Sequence, residues 1–298
     1  MKTPDYKKQV HLLLSILPFV AKEKSFALHG GTAINMFQAN MPRLSVDIDL
    51  TWLPVEKREI SLEAIHAALK RIASSIEATL PDTYVQHKQK EVKLIVSNQE
   101  ATIKVEVNTM KRGCYKPPDM KTLCDKAQEE FDAFCEIQVV EKSHLFGGKM
   151  CAALDRQHPR DLFDIQQLFK TQKFDDEMKK GFLFYLVSSG RPVHEMLFPN
   201  QIDQKKAFKN QFDGMTKEQF SYTDYENTRK LLIEKIHTSL TDADKHFMLK
   251  FEQGIPDWSL YDFSIFPAVQ WKLLNIRKLK AKNPVKHNKM YEILRERL

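Results

Sequence analysis

Apolar residues in the first half of the chain follow two different spacings. Over residues 1–25 and 61–78 they recur every three or four positions, which predicts two amphipathic helices, and residues 32–38 also have helical character. Elsewhere polar and apolar residues alternate with a period of two, the pattern of a strand with one buried face. The predicted strands cover residues 25–29, 45–52, 92–96, 102–107 and 136–140, and residues 111–126 are predicted to form a loop or linker.

Helical spacing dominates after residue 140. Helices are predicted over residues 143–156, 160–170 and 176–188, and several more follow to the carboxyl end. The sequence contains no internal repeat or low-complexity tract. The pattern therefore predicts an α+β fold, with strands and helices in residues 1–140 and a mainly helical domain in residues 141–298.

Composition places the chain among folded proteins without a membrane span. Hydrophobic residues make up 42% and charged residues 29% of the 298 positions. The longest apolar runs, such as residues 182–187, are far shorter than the roughly 20 residues that cross a bilayer. Residues 1–10 are polar and make a poor signal peptide. These features predict a cytoplasmic protein with no membrane partner.

The four cysteines and ten histidines give little support to a zinc site or a disulfide framework. The cysteines are too spread out for a C-x-x-C pair and too few for a disulfide scaffold, and the histidines lack H-E-x-x-H spacing. We expect the cysteines to be reduced and structural.

Positive charge is concentrated at the carboxyl end. Residues 272–298 contain nine lysines and arginines against two glutamates, an excess equal to the formal net charge of the whole chain, +7. Such a segment attracts phosphate backbones by releasing counterions. A solvated helix face has the same composition, so the segment indicates a nucleic-acid partner only if nucleotide chemistry is found elsewhere.

Two aspartates in the predicted strand 45–52 are candidates for metal binding. Period-two geometry places Asp47 and Asp49 on one face while Ile48 points to the other. Neighbouring carboxylates repel each other unless a cation lies between them, and Mg²⁺ prefers such oxygens together with substrate phosphates. Glu106 lies in another alternating strand and would complete a two-metal site if the strands are neighbours. A lone D-x-D is equally typical of a solvated strand face.

A glycine turn and a late acidic motif add two further candidate segments. Gly30, Gly31 and Thr32 link a strand to a helix, where glycines allow close approach to a phosphate and the threonine hydroxyl can bond it. An ordinary tight turn has the same residues. Asp161 and Asp164 share one face of a helix whose first turn begins at Pro159, where acids also favour the helix dipole.

Taken in order, these segments closely resemble the AbiEii/AbiGii toxin family, the nucleotidyltransferase toxins of bacterial abortive-infection and toxin–antitoxin systems, to which the MenT toxins are similar. The resemblance spans roughly residues 25 to 170. It rests on four segments: residues 30–33 (GGTA), 43–50 (RLSVDIDL), 149–154 (KMCAAL) and 160–165 (RDLFDI). It implies a DNA polymerase beta-like nucleotidyltransferase domain, with a mixed sheet flanked by helices, followed by the helical domain.

The resemblance also implies roles for individual residues. Gly30, Gly31 and Thr32 match the phosphate-gripping turn, and Asp47 and Asp49 match the metal-binding pair for Mg²⁺, with Mn²⁺ as an alternative. Glu106 matches the third carboxylate by strand context only. Lys149 matches a lysine that contacts the triphosphate, and Asp161 matches a catalytic or substrate-positioning acid. Arg160 and Asp164 complete the nucleotide-binding set that the helical domain would contribute to the active site.

The expected activity is Mg²⁺-dependent transfer of a nucleoside monophosphate from a nucleoside triphosphate to a hydroxyl group, with release of pyrophosphate. The resemblance implies an RNA acceptor such as a tRNA 3′ end, and a cognate antitoxin as partner. A nucleotidyltransferase acting on a small molecule or a protein remains open, as does a nucleotide- or RNA-binding module without activity. A DNA-binding antitoxin would need a helix-turn-helix, which cannot be placed in the sequence.

Overall fold

The computed structural model describes residues 6–298, so the first five residues of the predicted amino-terminal helix and of the polar stretch 1–10 lie outside it. The chain divides into two compact units. Unit 1 comprises Met1–Leu145 with Asp213–Gln219, and unit 2 comprises Phe146–Phe212 with Phe220–Leu298. The division near residue 145 falls within a helix, and the domain boundary expected at residue 140 stays a prediction.

Unit 1 contains a seven-stranded mixed sheet in the order β3-β4-β5-β2-β1-β7-β6. The β2–β5 and β1–β7 pairs are parallel, and the other neighbouring pairs are antiparallel. The strands are β1 (Phe26–His29), β2 (Asp47–Trp52), β3 (Tyr84–Lys88), β4 (Lys93–Ser97), β5 (Thr102–Asn108), β6 (Asp119–Thr122) and β7 (Glu136–Val139).

Two long helices cover one face of this sheet. Helices α1 (Tyr6–Val20) and α3 (Arg58–Thr79) contact each other; α1 also contacts β5 and β7, and α3 contacts β3 and β4. The alternating apolar residues of the central strands, such as Ile48 and Val105, are fully buried. Shorter helices are α2 (Gly30–Ala33), which continues as a π-helical segment Ile34–Gln38, and α4 (Asp125–Phe131). On the opposite face of the sheet, β2 and β5 carry polar side chains.

Unit 2 is helical. Helix α5 (Lys142–Asp155) crosses the division between the units, and Gly147 lies so close to the backbone of Gly181 that a Cβ on it would be 2.3 Å from that backbone. The other helices are α6 (Pro159–Thr171), α7 (Asp176–Ser188), α8 (Val193–Leu197), α9 (Lys205–Gln211), α10 (Tyr222–Ser239), α11 (Asp242–Glu252), α12 (Pro267–Lys282) and α13 (Pro284–Arg297). None of the helices in residues 6–298 is long and apolar enough to cross a bilayer.

The predicted α+β fold is confirmed, with two local differences. The expected loop 111–126 contains β6 and the start of α4, and β3 was not among the predicted strands. Both strands lie at the edges of the sheet. None of the residues of β6 is buried and Tyr84 of β3 is 65% exposed, so neither edge strand has the buried alternation that identifies a strand in a sequence.

The cysteines are free thiols, as expected from their spacing. Burial raises the pKa of Cys114 to about 12 and that of Cys135 to about 11, in both cases with a smaller contribution from a nearby glutamate. Burial therefore favours the protonated thiol at both positions.

Candidate functional site

The central strand β2 presents two carboxylates on the open face of the sheet. Asp47 and Asp49 are partly exposed, whereas Ile48 and Leu50 between and after them are buried. The alternation expected from the sequence is therefore confirmed. Both acids lie on the face that α1 and α3 do not cover.

The strand register places a third carboxylate directly beside Asp49. Across the parallel β2–β5 pair Asp49 is opposite Glu106, and across the antiparallel β1–β2 pair it is opposite His29. Glu106 is opposite Lys93 on β4. Four neighbouring strands therefore contribute one row of side chains, His29, Asp49, Glu106 and Lys93. The condition that β5 must neighbour β2 for Glu106 to join the aspartates is met.

Two lysines partly neutralise the carboxylates on this face of the sheet. Lys104 Nζ lies 3.8 Å from Asp47 Oδ1, and Lys93 Nζ lies 3.7 Å from Glu106 Oε1. All four side chains are 20–48% exposed. Ion pairs of this kind contribute roughly 0–1 kcal/mol, so a cation or a phosphate can displace them at little cost.

The glycine turn is held against the second aspartate. Gly30 has a φ of +73°, in the left-handed region, and a Cβ on it would lie 2.1 Å from Asp49 Oδ2. A Cβ on Gly31 would lie 2.9 Å from Ser45 Oγ and 3.0 Å from Arg43 Nη2. Any side chain at Gly30 would therefore occupy the space of the Asp49 carboxylate, which explains why the sequence has glycine there.

Thr32 has a structural contact where the sequence suggested a phosphate contact. Its side chain is fully buried, and its hydroxyl donates to the backbone oxygen of Asp47 at 2.6 Å, with Ser45 Oγ at 3.0 Å. The hydroxyl thus attaches the turn to the first residue of β2. A phosphate at this turn would be held by other groups, and Thr32 would act by fixing the position of Asp47.

The carboxylates share a face without forming a closed metal cage. Within residues 6–298, no group of three or more His, Cys, Asp or Glu side chains is arranged to hold a metal ion. Mg²⁺ commonly takes one or two protein carboxylates and completes its shell with water and substrate phosphates. Asp47 and Asp49, beside a cradle that a Cβ would fill, match that donor set. The assignment of Asp47, Asp49 and Glu106 as metal ligands stays a prediction.

Aromatic rings line the β1 side of the row. The His29 and His144 rings meet edge-on with centroids 6.1 Å apart, and the Tyr115 ring lies 5.2 Å from that of His144. Tyr115 Oη and Ser143 Oγ are 2.6 Å apart, and Ser143 Oγ donates to Glu141. Complete burial, with the charges of His29 and Lys111, holds the pKa of His144 well below its usual value. His144 is therefore a neutral ring at physiological pH.

The late acidic motif of unit 2 forms a buried ion-pair cluster. Pro159 occupies the first turn of α6, and Asp161 and Asp164 lie on the same face of that helix, as predicted. Lys149 Nζ lies 2.8 Å from Asp161 Oδ1 and 3.0 Å from Asp164 Oδ2. The Lys149 side chain is 7% exposed and the two aspartates are 1% exposed or less.

Arg156 binds Asp161 from the solvent-exposed side of this cluster. Its Nε lies 2.5 Å from Asp161 Oδ2 and its Nη2 lies 3.0 Å from Asp161 Oδ1, whereas its side chain is 62% exposed. Burial alone would raise the pKa of Asp161, but the charge of Lys149 and the hydrogen bond and charge of Arg156 more than offset this and hold it well below the usual range. Lys149 and Arg156 both compensate the charge of Asp161, and Lys149 also contacts Asp164.

The two groups of predicted site residues belong to different compact units. Unit 1 brings together Gly30, Gly31, Asp47, Asp49 and Glu106. Unit 2 brings together Lys149, Asp161 and Asp164, with Arg160 in the first turn of α6, where its backbone N–H donates to His158 Nδ1. The triphosphate contact of Lys149 and the catalytic part of Asp161 stay predictions, because in this structure the ammonium is enclosed by carboxylates.

Several residues of these groups were not identified from the sequence. Arg43 and Ser45, which lie against Gly31, belong to the segment that carries the resemblance but were given no role. Lys93 joins the row only through strand register. Arg156 follows the end of α5 and precedes α6, so no helical spacing connects it with Asp161. Arg43 and Ser45 lie four and two residues before the D-x-D, and this position within the segment 43–50 is the local signal that could have identified them.

Comparison with known proteins supports the resemblance. A family model described as the nucleotidyl transferase AbiEii toxin of type IV toxin–antitoxin systems matches residues 11–275. The fold is similar to that of MenT4, a nucleotidyltransferase toxin from Mycobacterium tuberculosis H37Rv, with a TM-score of 0.65 over 90% of this chain and 93% of that chain. The two sequences are 14% identical, so this likeness shows the fold. No curated protein matches the sequence.

Proposed function

Since the chain belongs to the AbiEii nucleotidyltransferase toxin family, we propose that it transfers a nucleoside monophosphate from a nucleoside triphosphate to a hydroxyl group on RNA. The proposed acceptor is a tRNA 3′ end, because blocking it would stop aminoacylation and thus growth. The family also implies a cognate antitoxin as partner.

One observation carries this proposal most directly. The Asp49 carboxylate lies against Gly30 and beside Glu106, with Asp47 two residues away on the same face. Packed acids on an open sheet face, next to a turn without side chains, provide room for a charged ligand and oxygens for a divalent cation. A purely structural strand would gain nothing from placing like charges side by side.

The reaction is a displacement at phosphorus. The acceptor oxygen forms a bond to the α-phosphorus, the bond to the bridging oxygen breaks, pyrophosphate leaves, and the hydroxyl proton passes to a carboxylate or to water. A bound Mg²⁺ would supply charge neutralisation on the phosphates and a lower pKa for the attacking hydroxyl. Asp47 and Asp49 would hold it, and Gly30 would let the triphosphate approach the backbone.

The basic carboxyl end would supply contacts to the RNA backbone, with one correction. Lys272 is buried, and its Nζ donates to the backbone oxygens of Leu186 and Arg191 at 2.8 Å each. It attaches α12 to α7 and is not available to a ligand. The exposed lysines of α12 and α13 remain candidates, namely Lys278, Lys280, Lys282, Lys286 and Lys289.

The proposal is tested by incubating the purified chain with Mg²⁺, each labelled nucleoside triphosphate in turn, and total bacterial RNA. Label in a size-resolved RNA band and stoichiometric pyrophosphate are expected, and a chelator should abolish both. Asp47→Ala and Asp49→Ala should remove activity without loss of stability, because each removes a like-charge repulsion. Asp119→Ala, a half-exposed strand aspartate of the same sheet, is the matched control and should remain active.

Other outcomes select the alternatives. Binding of nucleotide or RNA without pyrophosphate release would favour a module without activity. Pyrophosphate release that depends on a small molecule or a protein, and not on RNA, would change the acceptor. Folded Asp47→Ala and Asp49→Ala variants with full activity would contradict the metal site.

A further inference from the structure

A pocket of about 260 Å³ lies on unit 1 beside the segment that enters β2. Met41 and Met215 in its lining are buried, which gives it an apolar interior. The loop Asp213–Gln219 is attached there: Leu44 N donates to Met215 O at 2.7 Å, and Thr216 Oγ1 donates to Pro42 O at 2.8 Å. A segment distant in sequence therefore completes a cavity next to the chain that carries the D-x-D.

The pocket is strongly basic. Lys7, Arg43, Lys126 and Lys217 line it together with a single acid, Glu130. Lys7 Nζ pairs with Glu130 Oε1 at 2.6 Å, and Lys126 Nζ donates to the backbone oxygen of Met41 at 3.1 Å. The lining therefore holds four cationic side chains and one acidic side chain. The hydrogen bond from Lys7, with the charges of Lys217 and Lys126, holds the pKa of Glu130 below its usual value. The pocket thus presents excess positive charge around an apolar interior.

Arg43 connects this pocket with the glycine turn. It is 3% exposed, it lines the pocket, and its Nη2 would be 3.0 Å from a Cβ on Gly31. Its Nη1 donates to the backbone oxygen of Leu44 at 2.8 Å, which fixes the position of the side chain. Arg43 therefore borders both the turn beside Asp49 and the pocket.

We propose that this pocket binds one nucleotide near the end of the single-stranded RNA acceptor, with its base among the methionines and its phosphate beside Lys217 and Arg43. The proposal rests on the proposed transferase function. The volume is small for a ligand site and admits a single nucleotide unit. The only acid in the lining, Glu130, is paired with Lys7, so the pocket offers few carboxylate oxygens to the cation that accompanies a triphosphate. A phosphodiester carries one charge and needs no metal, which makes the acceptor a better occupant than the donor.

The test uses Lys217→Glu, which reverses an exposed charge at the pocket, and Lys70→Glu, an exposed lysine on α3, as the matched control with the same charge change. The probe is a short fluorescent single-stranded RNA, and its affinity is measured by anisotropy without nucleoside triphosphate. Lys217→Glu should weaken binding about tenfold relative to Lys70→Glu, and should lower the salt slope. An RNA whose terminal base is missing should bind the parent roughly tenfold more weakly.

Transfer kinetics separate the outcomes. In the proposed arrangement Lys217→Glu raises KM for RNA and leaves kcat and KM for the nucleoside triphosphate at the values of the control. A raised KM for the triphosphate instead would assign the pocket to the donor and overturn the proposal, as would equal RNA affinity of the two variants. If the parent transfers no nucleotide to RNA, the transferase proposal fails by itself, and the anisotropy comparison still decides whether the pocket binds RNA.

Discussion

Replacing Lys149 with alanine should destabilise unit 2 strongly. The substitution removes the ammonium that contacts Asp161 Oδ1 at 2.8 Å and Asp164 Oδ2 at 3.0 Å, in surroundings where all three side chains are at most 7% exposed. Both carboxylates then lose the cation that they share. Removal of one partner from a buried ion pair costs about 3–5 kcal/mol, and a shared cation places this case at the upper end.

Two further variants identify the cause of that loss. Arg156→Ala removes a cation from the same carboxylate of Asp161, but the arginine is 62% exposed and Lys149 remains, so we expect a loss of about 1 kcal/mol. Lys149→Met combined with Asp164→Asn removes one charge of each sign and should recover roughly 2 kcal/mol relative to Lys149→Met alone. Free energies of unfolding are measured by urea denaturation at neutral pH.

The decrease in the free energy of unfolding at low pH, the acid limb, provides an independent measurement. The folded-state pKa of Asp161 is lowered, so its stabilising contribution is complete above the unfolded pKa of about 3.9 and is lost as the pH falls below it. Asp161→Asn should therefore lose less stability than the parent between about pH 5 and pH 2. A Lys149→Ala variant within 1 kcal/mol of the parent, together with an unchanged acid limb in Asp161→Asn, would refute the assignment of a stabilising buried cluster.

Two predictions concern the turn and the tail. Gly30→Ala should abolish activity and cost more stability than Gly254→Ala. Both glycines have a positive φ, but a Cβ on Gly30 would lie 2.1 Å from Asp49 Oδ2, whereas a Cβ on Gly254 would lie 3.2 Å from the flexible side chain of Arg277. Thermal unfolding and transfer assays check this, and equal losses would contradict it. Neutralising four exposed lysines of α12 and α13 should weaken RNA binding, leave nucleoside triphosphate binding intact, and flatten the log–log salt slope by about 0.7 per lost contact. Parallel slopes with unchanged affinity would place the RNA surface elsewhere. The lysines are Lys278, Lys282, Lys286 and Lys289.

The parts of the site that were predictable are those that depend on local geometry. The alternation around Asp47 and Asp49 determines which face of the strand they occupy. The strand-to-helix position of Gly30 indicates that another group packs closely against its backbone. Both features can be recognised without knowing the tertiary packing. The place of Glu106 depends on which strand pairs with β2, and that pairing arises from tertiary packing. The sequence identifies Glu106 as a candidate, but only the register of β2 and β5 shows that it lies beside Asp49.

Two differences from expectation have opposite origins. Lys272 was counted with the basic segment although it shares a helix face with the buried Ala268, Val269 and Ile276, so its spacing in α12 already indicated burial. The sequence around Thr32 contains no pattern that indicates its structural contact. Its hydroxyl reaches the backbone of Asp47, fifteen residues later, and this contact exists only once the turn has packed on β2.

The carboxylates on the sheet of unit 1 and those of the buried ion-pair cluster in unit 2 differ in how strongly lysines neutralise them. This difference separates their expected roles. Asp47 and Glu106 have lysines at 3.7–3.8 Å in partly exposed positions, which leaves their charges available to a ligand. Asp161 and Asp164 are buried against the Lys149 ammonium at 2.8–3.0 Å. If Lys149 bound a ligand instead, another cation would have to compensate the two carboxylates. Substitutions at Asp47 should therefore change activity at constant stability, and substitutions at Lys149 should change stability first. Any effect of Lys149 on turnover must be measured below the unfolding transition of the variant, and rescue by the charge-balanced double variant would then assign that effect to folding.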